Sequence, residues 1–290
     1  MPHTKLESSR FHHRLRVRWA EVDMQKIVFN AHYLMYLDTA MADYWRALVL
    51  PYEATLEALQ GDLYVKKAVL EYHASARLDD LLDVGLRCQH IGKSSIVFAG
   101  DIRCNGRLLV SGELVYVFAD PVTQKSRPVP AALRDALLAF EGGAPMVTLE
   151  VGHWSNLAEG ARAVRLEVFV QEQQIPLALE QDAADAGALH VLIRNRLGLP
   201  VATGRLLQAA PGVGQIGRLA VNRVLRGAGL GQMALKALLA AAGERGHREV
   251  MLHAQASAKD FYLVQGFVPR GVPFQEAGIE HIEMVRTKLM

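Results

Sequence analysis

Two stretches of this 290-residue chain place chemically useful residues where a helix is about to begin. The first reads Glu21-Val22-Asp23-Met24-Gln25-Lys26-Ile27-Val28-Phe29-Asn30-Ala31-His32-Tyr33, ahead of a long helical pattern. A carboxylate just upstream of a helix lies near backbone N–H groups without intrahelical acceptors and near the positive end of the dipole. Amides of that kind stabilise charge developing on a docked carbonyl oxygen. Asp23 is then placed to act as nucleophile or as general base toward water. The plainer reading is that Asp23 or Asn30 caps the helix. The second stretch runs from Gly217 to Gln232, out of a strand, through Arg226-Gly227-Ala228-Gly229-Leu230-Gly231, into another long helix. Glycines let backbone amides approach an anion closely, and the helix start favours a pyrophosphate. The spacing is neither G-x-G-x-x-G nor a P-loop with G-K-[ST].

The elements that must position these residues differ between the two halves. Upstream of Asp23 the pattern predicts a strand over His13–Glu21. Downstream it predicts a helix with Leu34, Leu37, Met41, Tyr44, Trp45 and Leu48 on one face, stopped near Pro51. Strand-like runs follow at Leu63–Leu78, Leu82–Ile91, Ser94–Cys104 and Arg107–Ala119, and Asn105-Gly106 marks a two-residue hairpin turn. One long helix with an antiparallel meander is an α+β plan, with the sheet able to wrap the helix. An amphipathic stretch, Pro130–Phe140, leads to Glu141-Gly142-Gly143-Ala144-Pro145, a breaker-rich linker. The expected domains are therefore 1–143 and 144–290.

The second half predicts a helix at Ser155–Val170 and strands at Ala188–Arg194, Val201–Leu207 and Gln215–Val221. The helix after the glycine turn, Leu230–Arg245, should bury Leu230, Met233, Ala234, Ala237, Leu238 and Ala241. A strand at Glu249–His253, a helix at Ala256–Gln265 and strands at Phe267–Val272 and His281–Thr287 complete a mixed α/β domain.

Composition narrows the function classes. With 51% hydrophobic and 21% charged residues the chain is globular rather than disordered. A net charge of +2, without a concentrated basic face, argues against a nucleic-acid binder. No long apolar window suggests a membrane span, and the first residues contain no apolar leader core. Cys88 and Cys104 cannot form a disulfide scaffold or a zinc set, and are expected as small buried hydrophobes. A cytoplasmic location and no metal are expected.

Asp23, Val28, Asn30, Ala31, Tyr33, Leu34 and Tyr36, with Asp38 and Ala40, resemble the 4-hydroxybenzoyl-CoA thioesterase-like branch of the hot-dog fold. Arg127-Pro128-Val129-Pro130 and Leu133–Leu137 are similar to that family's C-terminal end, so the resemblance covers about residues 11–140. It implies an antiparallel sheet around a central helix, Asp23 as the catalytic carboxylate and the Asn30 amide as donor to the thioester carbonyl. It also implies at least a homodimer, possible as a tetramer, with sites shared between subunits. Lys26 departs from the pattern, because the family often has glycine there.

Arg226–Gly231 resembles the acetyl-CoA motif of GNAT acyltransferases, and Phe261-Tyr262-Leu263-Val264-Gln265-Gly266-Phe267 resembles that family's F-Y-x-x-x-G-F signature. Arg218-Leu219-Ala220-Val221 looks like its splayed strand, which pairs with the pantetheine arm. Val168–Gln173 and His253-Ala254-Gln255 are similar to an ElaA-like bacterial subgroup. The resemblance, over about 147–290, implies CoA contacts from Leu219, Ala220, Val221, Arg226, Gly227, Ala228, Gly229, Leu230 and Gly231. It implies Tyr262 as the acid that protonates the CoA thiolate. Glu172, His253 or an ordered water are its candidates for the base. The combined expectation is a fused acyl-CoA thioesterase and N-acetyltransferase, with acyl-CoA, acetyl-CoA and an amine as substrates and no tightly bound cofactor. Two alternatives stay open at this point: an acetyltransferase on a non-catalytic hot-dog dimerisation domain, and a sensor of CoA thioesters.

Overall fold

A computed structural model of the chain describes residues 9–287, so the leader reading of the first residues lies partly outside it. The described residues divide into two compact units between Met146 and Val147. Among them no helix is long and apolar enough to cross a membrane.

The first unit contains β1 (Phe11–Arg16), α1 (Asn30–Ala47), α2 (Tyr52–Ala58), β2 (Asp62–Tyr72), β3 (Leu81–Ile91), β4 (Ser95–Cys104), β5 (Arg107–Ala119) and α3 (Ala131–Glu141). Its sheet runs β1-β3-β4-β5-β2 with every pairing antiparallel. Helix α1 lies on the sheet through Tyr33, Tyr36, Leu37, Ala40, Met41, Tyr44 and Trp45. Two glycines allow that approach. A Cβ at Gly100 would stand 2.6 Å from Leu37 Cδ2, and one at Gly112 would stand 3.2 Å from Leu37 Cδ1. The hairpin at Asn105-Gly106 forms with both residues at positive φ, +50° and +80°.

Several boundaries differ from the sequence pattern for local reasons. Strand β1 ends at Arg16, because the Glu21 carboxylate accepts the Arg18 amide at 2.7 Å and closes a 3₁₀ turn over Trp19–Glu21. Strand β2 ends at Tyr72, where the amides of His73 and Ala74 both turn to the Leu109 carbonyl. Leu34 is 40% exposed rather than buried, since the packed stripe runs through Tyr33 and Leu37 instead. Pro51 does more than stop a helix: it is the N-cap of α2, an element the pattern did not indicate.

The second unit contains β6 (Val147–His153), α4 (Trp154–Arg165), α5 (Leu177–Glu180), β7 (Leu189–Asn195), β8 (Pro200–Ala210), β9 (Val213–Val221), α6 (Leu230–Glu244), β10 (Glu249–Gln255), α7 (Lys259–Val264), β11 (Val268–Glu276) and β12 (Ile279–Arg286). The expected single helix to Val170 is instead α4 followed by π-helical turns over Leu166–Glu172. The sheet runs β11-β12-β10-β9-β8-β7-β6, and only β9 and β10 pair in parallel among its neighbours. Gly160 of α4 packs on Leu192, while Leu238 of α6 packs beside Val191. Adjacent strand residues point to opposite faces, so α4 and α6 cover opposite faces of this sheet. Met233 of α6 is exposed and Ala237 only partly buried; Leu235, Leu239 and Ala242 take the buried positions instead.

Candidate active sites

In the first unit a short turn carries Asp23. The Asp23 carbonyl accepts the Lys26 amide and the Asp23 amide donates to the Ile27 carbonyl, each at 3.0 Å. Asp23 Oδ1 accepts the Gln25 amide at 2.8 Å. The turn needs a left-handed residue, and Lys26 supplies it at φ +60°. The chain then doubles back, bridging Val22 to Val28, with the Phe29 amide donating to the Glu21 carbonyl. That brings the start of α1 beside Asp23. Neither Asp23 nor Asn30 caps the helix: Phe29 holds the N-cap position without a side-chain bond.

The segment after β2 closes the other side. The Tyr72 hydroxyl donates to the Asn30 carbonyl at 3.1 Å, the Ala76 amide to the Tyr33 hydroxyl at 2.8 Å, and the Val28 amide to the Ala76 carbonyl at 3.0 Å. Asp23, Asn30, Tyr33, Tyr72, His73 and Ser75 thus share a cavity of about 440 Å³. Beneath the turn, Glu21 is buried. Burial pushes its carboxyl up, but hydrogen bonds from Arg18 and Tyr36 outweigh this and hold it below the usual range. Sequence reasoning missed Tyr72 and His73, which line the cavity, and the buried Glu21 behind it.

In the second unit the sheet itself opens. Strands β9 and β10 pair only from Val213–Ile216 against Glu249–Leu252. Beyond Ile216 and Leu252 they diverge. Strand β9 carries a bulge against β8 where Arg218 takes φ +52°. The gap is a cleft of about 1030 Å³, lined by Leu219, Ala220, Val221, Arg226, Gly227, Gly229, Leu230, Gly231, His253, Gln255 and Tyr262, among others. Gly227 and Gly229 sit at φ +88° and +82°, and Gly229 is the N-cap of α6. Tyr262 is buried against Phe261 and Phe267, and burial pushes its hydroxyl up to about 12.

A family model described as an acetyltransferase (GNAT) domain matches residues 157–288, and one described as the thioesterase-like superfamily matches residues 17–137. The uncharacterized N-acetyltransferase YjcF of Bacillus subtilis is 36% identical over 124 residues, 42% of this chain and 87% of that protein. The chain belongs to the GNAT acetyltransferase family. Its first unit is a thioesterase-like hot-dog domain. The acyl-CoA thioester hydrolase YbgC of Escherichia coli O157:H7 is 28% identical over 129 residues, 44% of this chain and 96% of that protein. A solved thioesterase from Thermus thermophilus, complexed with coenzyme A and zinc, is 26% identical with a TM-score of 0.42, covering 47% of this chain and 98% of its own.

Within the GNAT domain two of the expected site residues lie outside the cleft lining. Glu172 is not among the cleft-lining residues; Arg226 Nη1 and Nη2 donate to its two oxygens at 2.7 and 2.6 Å. The hydrogen bond from Arg226 holds the Glu172 carboxyl below the usual range. Ala228 also stays out of the lining, with its amide donating to the Leu225 carbonyl at 3.2 Å. Cys104 of the hot-dog domain is only partly buried, whereas Cys88 is buried and its thiol pushed up to about 12.

The GNAT cleft also holds groups the sequence pattern did not join. Arg165, Glu180, Asp182, Asp185, Arg205 and Arg218 form one ion-paired network beside it. These residues come from α4, α5, the turn after it, β8 and β9, so no local spacing announces the cluster. His253 and Gln255, both singled out in the sequence, line the cleft, and period-2 alternation puts them on one face of β10.

Proposed function

We propose that this chain is a bifunctional CoA-thioester enzyme. Residues 1–143 would hydrolyse an acyl-CoA, and residues 144–290 would transfer acetyl from acetyl-CoA to an amine. The observation that carries the second half is the divergence of β9 and β10 past Ile216 and Leu252, ending at a glycine turn and facing Tyr262. The β10-facing backbone of Leu219, Ala220 and Val221, past the end of the ladder, can pair with the amide-bearing pantetheine arm as a further strand would. The amides of Gly227, Gly229 and Gly231 and the start of α6 suit the pyrophosphate. The neutral Tyr262 hydroxyl, with its proton held up to about pH 12, suits donation to the departing thiolate.

In the hot-dog domain the Asn30 amide at the start of α1 is proposed to hold the thioester carbonyl oxygen. Asp23 then either takes a proton from water as it attacks that carbon or attacks it directly; either way CoA leaves as the thiol. Lys26 supports this reading, because it adopts the left-handed geometry that glycine would provide and leaves the turn intact. Pairing of two hot-dog domains and a cytoplasmic location, where CoA thioesters are available, belong to the same proposal.

Thiol release from a panel of acyl-CoAs without any amine tests the first half. Release by the wild type that disappears in Asp23→Ala supports the thioesterase. No release from any acyl-CoA would leave an acetyltransferase carried on a hot-dog partner domain. The second half requires that adding primary amines accelerate CoA release from acetyl-CoA in a manner lost in Tyr262→Phe.

A further inference from the structure

When an amine attacks the acetyl carbon its nitrogen must give up a proton, which neither the protonated Tyr262 hydroxyl nor the glycine turn can accept. Across the cleft, His253 Nδ1 lies 3.0 Å from Glu276 Oε2. The ring packs edge-on against Phe274, at 4.9 Å and 79°, and Phe274 stacks on His281 from its other side, at 6.1 Å and 25°. His253, Glu276 and His281 all line the cleft. His281 Nδ1 is 2.8 Å from the Ile279 carbonyl, so that ring is tied to its own turn. His253 is different: among the described residues, only its Nδ1 has a protein partner.

Its position is as informative as its partner. The β9–β10 ladder stops at Ile216 and Leu252, so His253 is the first β10 residue past the point of divergence. His253 and Gln255 share a face, and Gln255 Nε2 donates to Gln173 Oε1 at 3.0 Å, which sets that face toward the end of the π-helical turns. On β9, Arg218 reaches the Leu179 carbonyl and Asp182, in the segment that follows those turns. The mouth of the divergence on this side is therefore bounded by His253 and Arg218. The glycine turn and α6 supply the anion-binding end, and an acceptor must enter elsewhere.

We infer that His253, oriented by Glu276, is the general base for the acceptor amine, which enters from the face bearing Gln173 and Gln255. This rests on the acetyltransferase reading of the same cleft. Glu276 accepts the Nδ1 proton and fixes the tautomer whose Nε2 carries the lone pair. The amine nitrogen bonds to the acetyl carbon, and Nε2 takes a proton from that nitrogen. The carbon–sulfur bond then breaks, Tyr262 gives its proton to the thiolate, and the imidazolium and phenolate return to their resting states through solvent. Charged groups near His253 include Arg218 across the mouth, Glu283, opposite it in register on β12, and Glu249 on its own strand. Arg270 bonds to both of these glutamates, leaving Glu276 as the carboxylate on the ring.

The test uses the full chain with acetyl-CoA and a panel of primary amines, following CoA release. His253→Ala is expected to lower kcat by about 10²–10⁴-fold, to leave acetyl-CoA binding by calorimetry unchanged, and to regain turnover with added imidazole in proportion to its unprotonated fraction. Glu276→Gln is expected to lose less, because it disturbs the tautomer without removing the base. Nitrogen-15 NMR of the histidine rings should show Nδ1–H for His253 in the wild type and a mixed tautomer in Glu276→Gln. Turnover by His253→Ala close to wild type, or a loss that imidazole does not restore while acetyl-CoA still binds, would overturn the base. A wild type that acetylates no amine in the panel would instead overturn the transferase reading, and the base with it.

Discussion

The two candidate sites differ in what builds them. The cleft of the GNAT domain is a backbone feature: two strands part, a glycine turn follows, and side chains decorate the gap. The smaller cavity of the hot-dog domain is a side-chain feature: one carboxylate on a turn, one helix start, and a tyrosine-clamped segment across from them. A backbone site constrains many positions at once, through glycine and strand spacing, and so marks a long stretch of sequence. A turn site constrains few positions, and its marks are sparse. The first kind should tolerate side-chain changes except at the reacting group. The second should depend almost wholly on Asp23.

The largest effects should fall on the reacting groups and stay within their own domain. Asp23→Ala is expected to lower acyl-CoA hydrolysis by about 10²–10⁴-fold while amine acetylation keeps its wild-type rate. Tyr262→Phe should do the reverse. Paired assays of thiol release with and without amine check both variants. A variant that loses both reactions would break the separation of the two sites.

That contrast also decides how much was legible beforehand. Arg107–Ala119 forms a strand over its full predicted length, because it is rich in β-branched and aromatic residues, Val110, Val115, Tyr116, Val117 and Phe118, and Asn105-Gly106 fixes where it begins. The Arg226–Gly231 turn stood out through its glycines together with its likeness to the GNAT acetyl-CoA motif, because glycine spacing alone marks many tight connections. Met233 and Leu34 were misplaced for one reason: an apolar residue at helical spacing can sit one position off the packed stripe, and periodicity alone does not choose. The pairing of Glu172 with Arg226 was not legible because the two are 54 residues apart. Glu276 and the ion-paired network share that cause. Pairs made by tertiary folding carry no local signature, and those pairs set which carboxylates are free to react.

The next effect in size is on stability and belongs to the GNAT domain. Arg165 is 1% exposed and binds both Glu180 and Asp185. Arg165→Met keeps the bulk but removes the buried guanidinium that Glu180 and Asp185 share, a change expected to cost about 3–5 kcal/mol. Acetylation should therefore be lost on heating well before hydrolysis, in one and the same chain. The pH dependence has a definite sign. Burial pushes Asp185 up, yet hydrogen bonds from Arg165 and Arg205 outweigh it, and the hydrogen bond from Arg205 leads in holding Asp182 low. A carboxyl lowered by folding stabilises above its unfolded pKa, about 3.9, and that contribution fades as pH falls through the lowered value. The wild type should keep the network's contribution down to about pH 4. In Arg165→Met the buried carboxyls, no longer held low by Arg165, are relieved by protonation, so the stability gap between the two should be widest near neutrality and narrow as pH falls. A gap that stays constant with pH would show that these carboxyls are not what the variant disturbs.

Smaller effects test the turns directly. Gly229 has φ +82° and open space where a Cβ would stand, so Gly229→Ala adds only backbone strain. A cost of about 1–2 kcal/mol is expected, read by denaturant unfolding of the GNAT domain, together with weaker acetyl-CoA binding as the anion cradle shifts.

Lys26→Gly is the counterpart in the hot-dog domain and should be the smallest change. Lys26 already holds φ +60°, so glycine relieves strain of about 1–2 kcal/mol. Against this, glycine loses more backbone freedom on folding, a penalty of roughly 0.5–1 kcal/mol. The two nearly cancel, leaving stability within about 1 kcal/mol of wild type. Because Lys26 is exposed and absent from the cavity lining, acyl-CoA hydrolysis should keep its kcat/KM. A large fall in kcat/KM with unchanged unfolding would mean that the ammonium group, rather than the backbone angle, is what this turn uses. That result would make the hot-dog site rely on a second side chain, and would sharpen its difference from a cleft built of backbone.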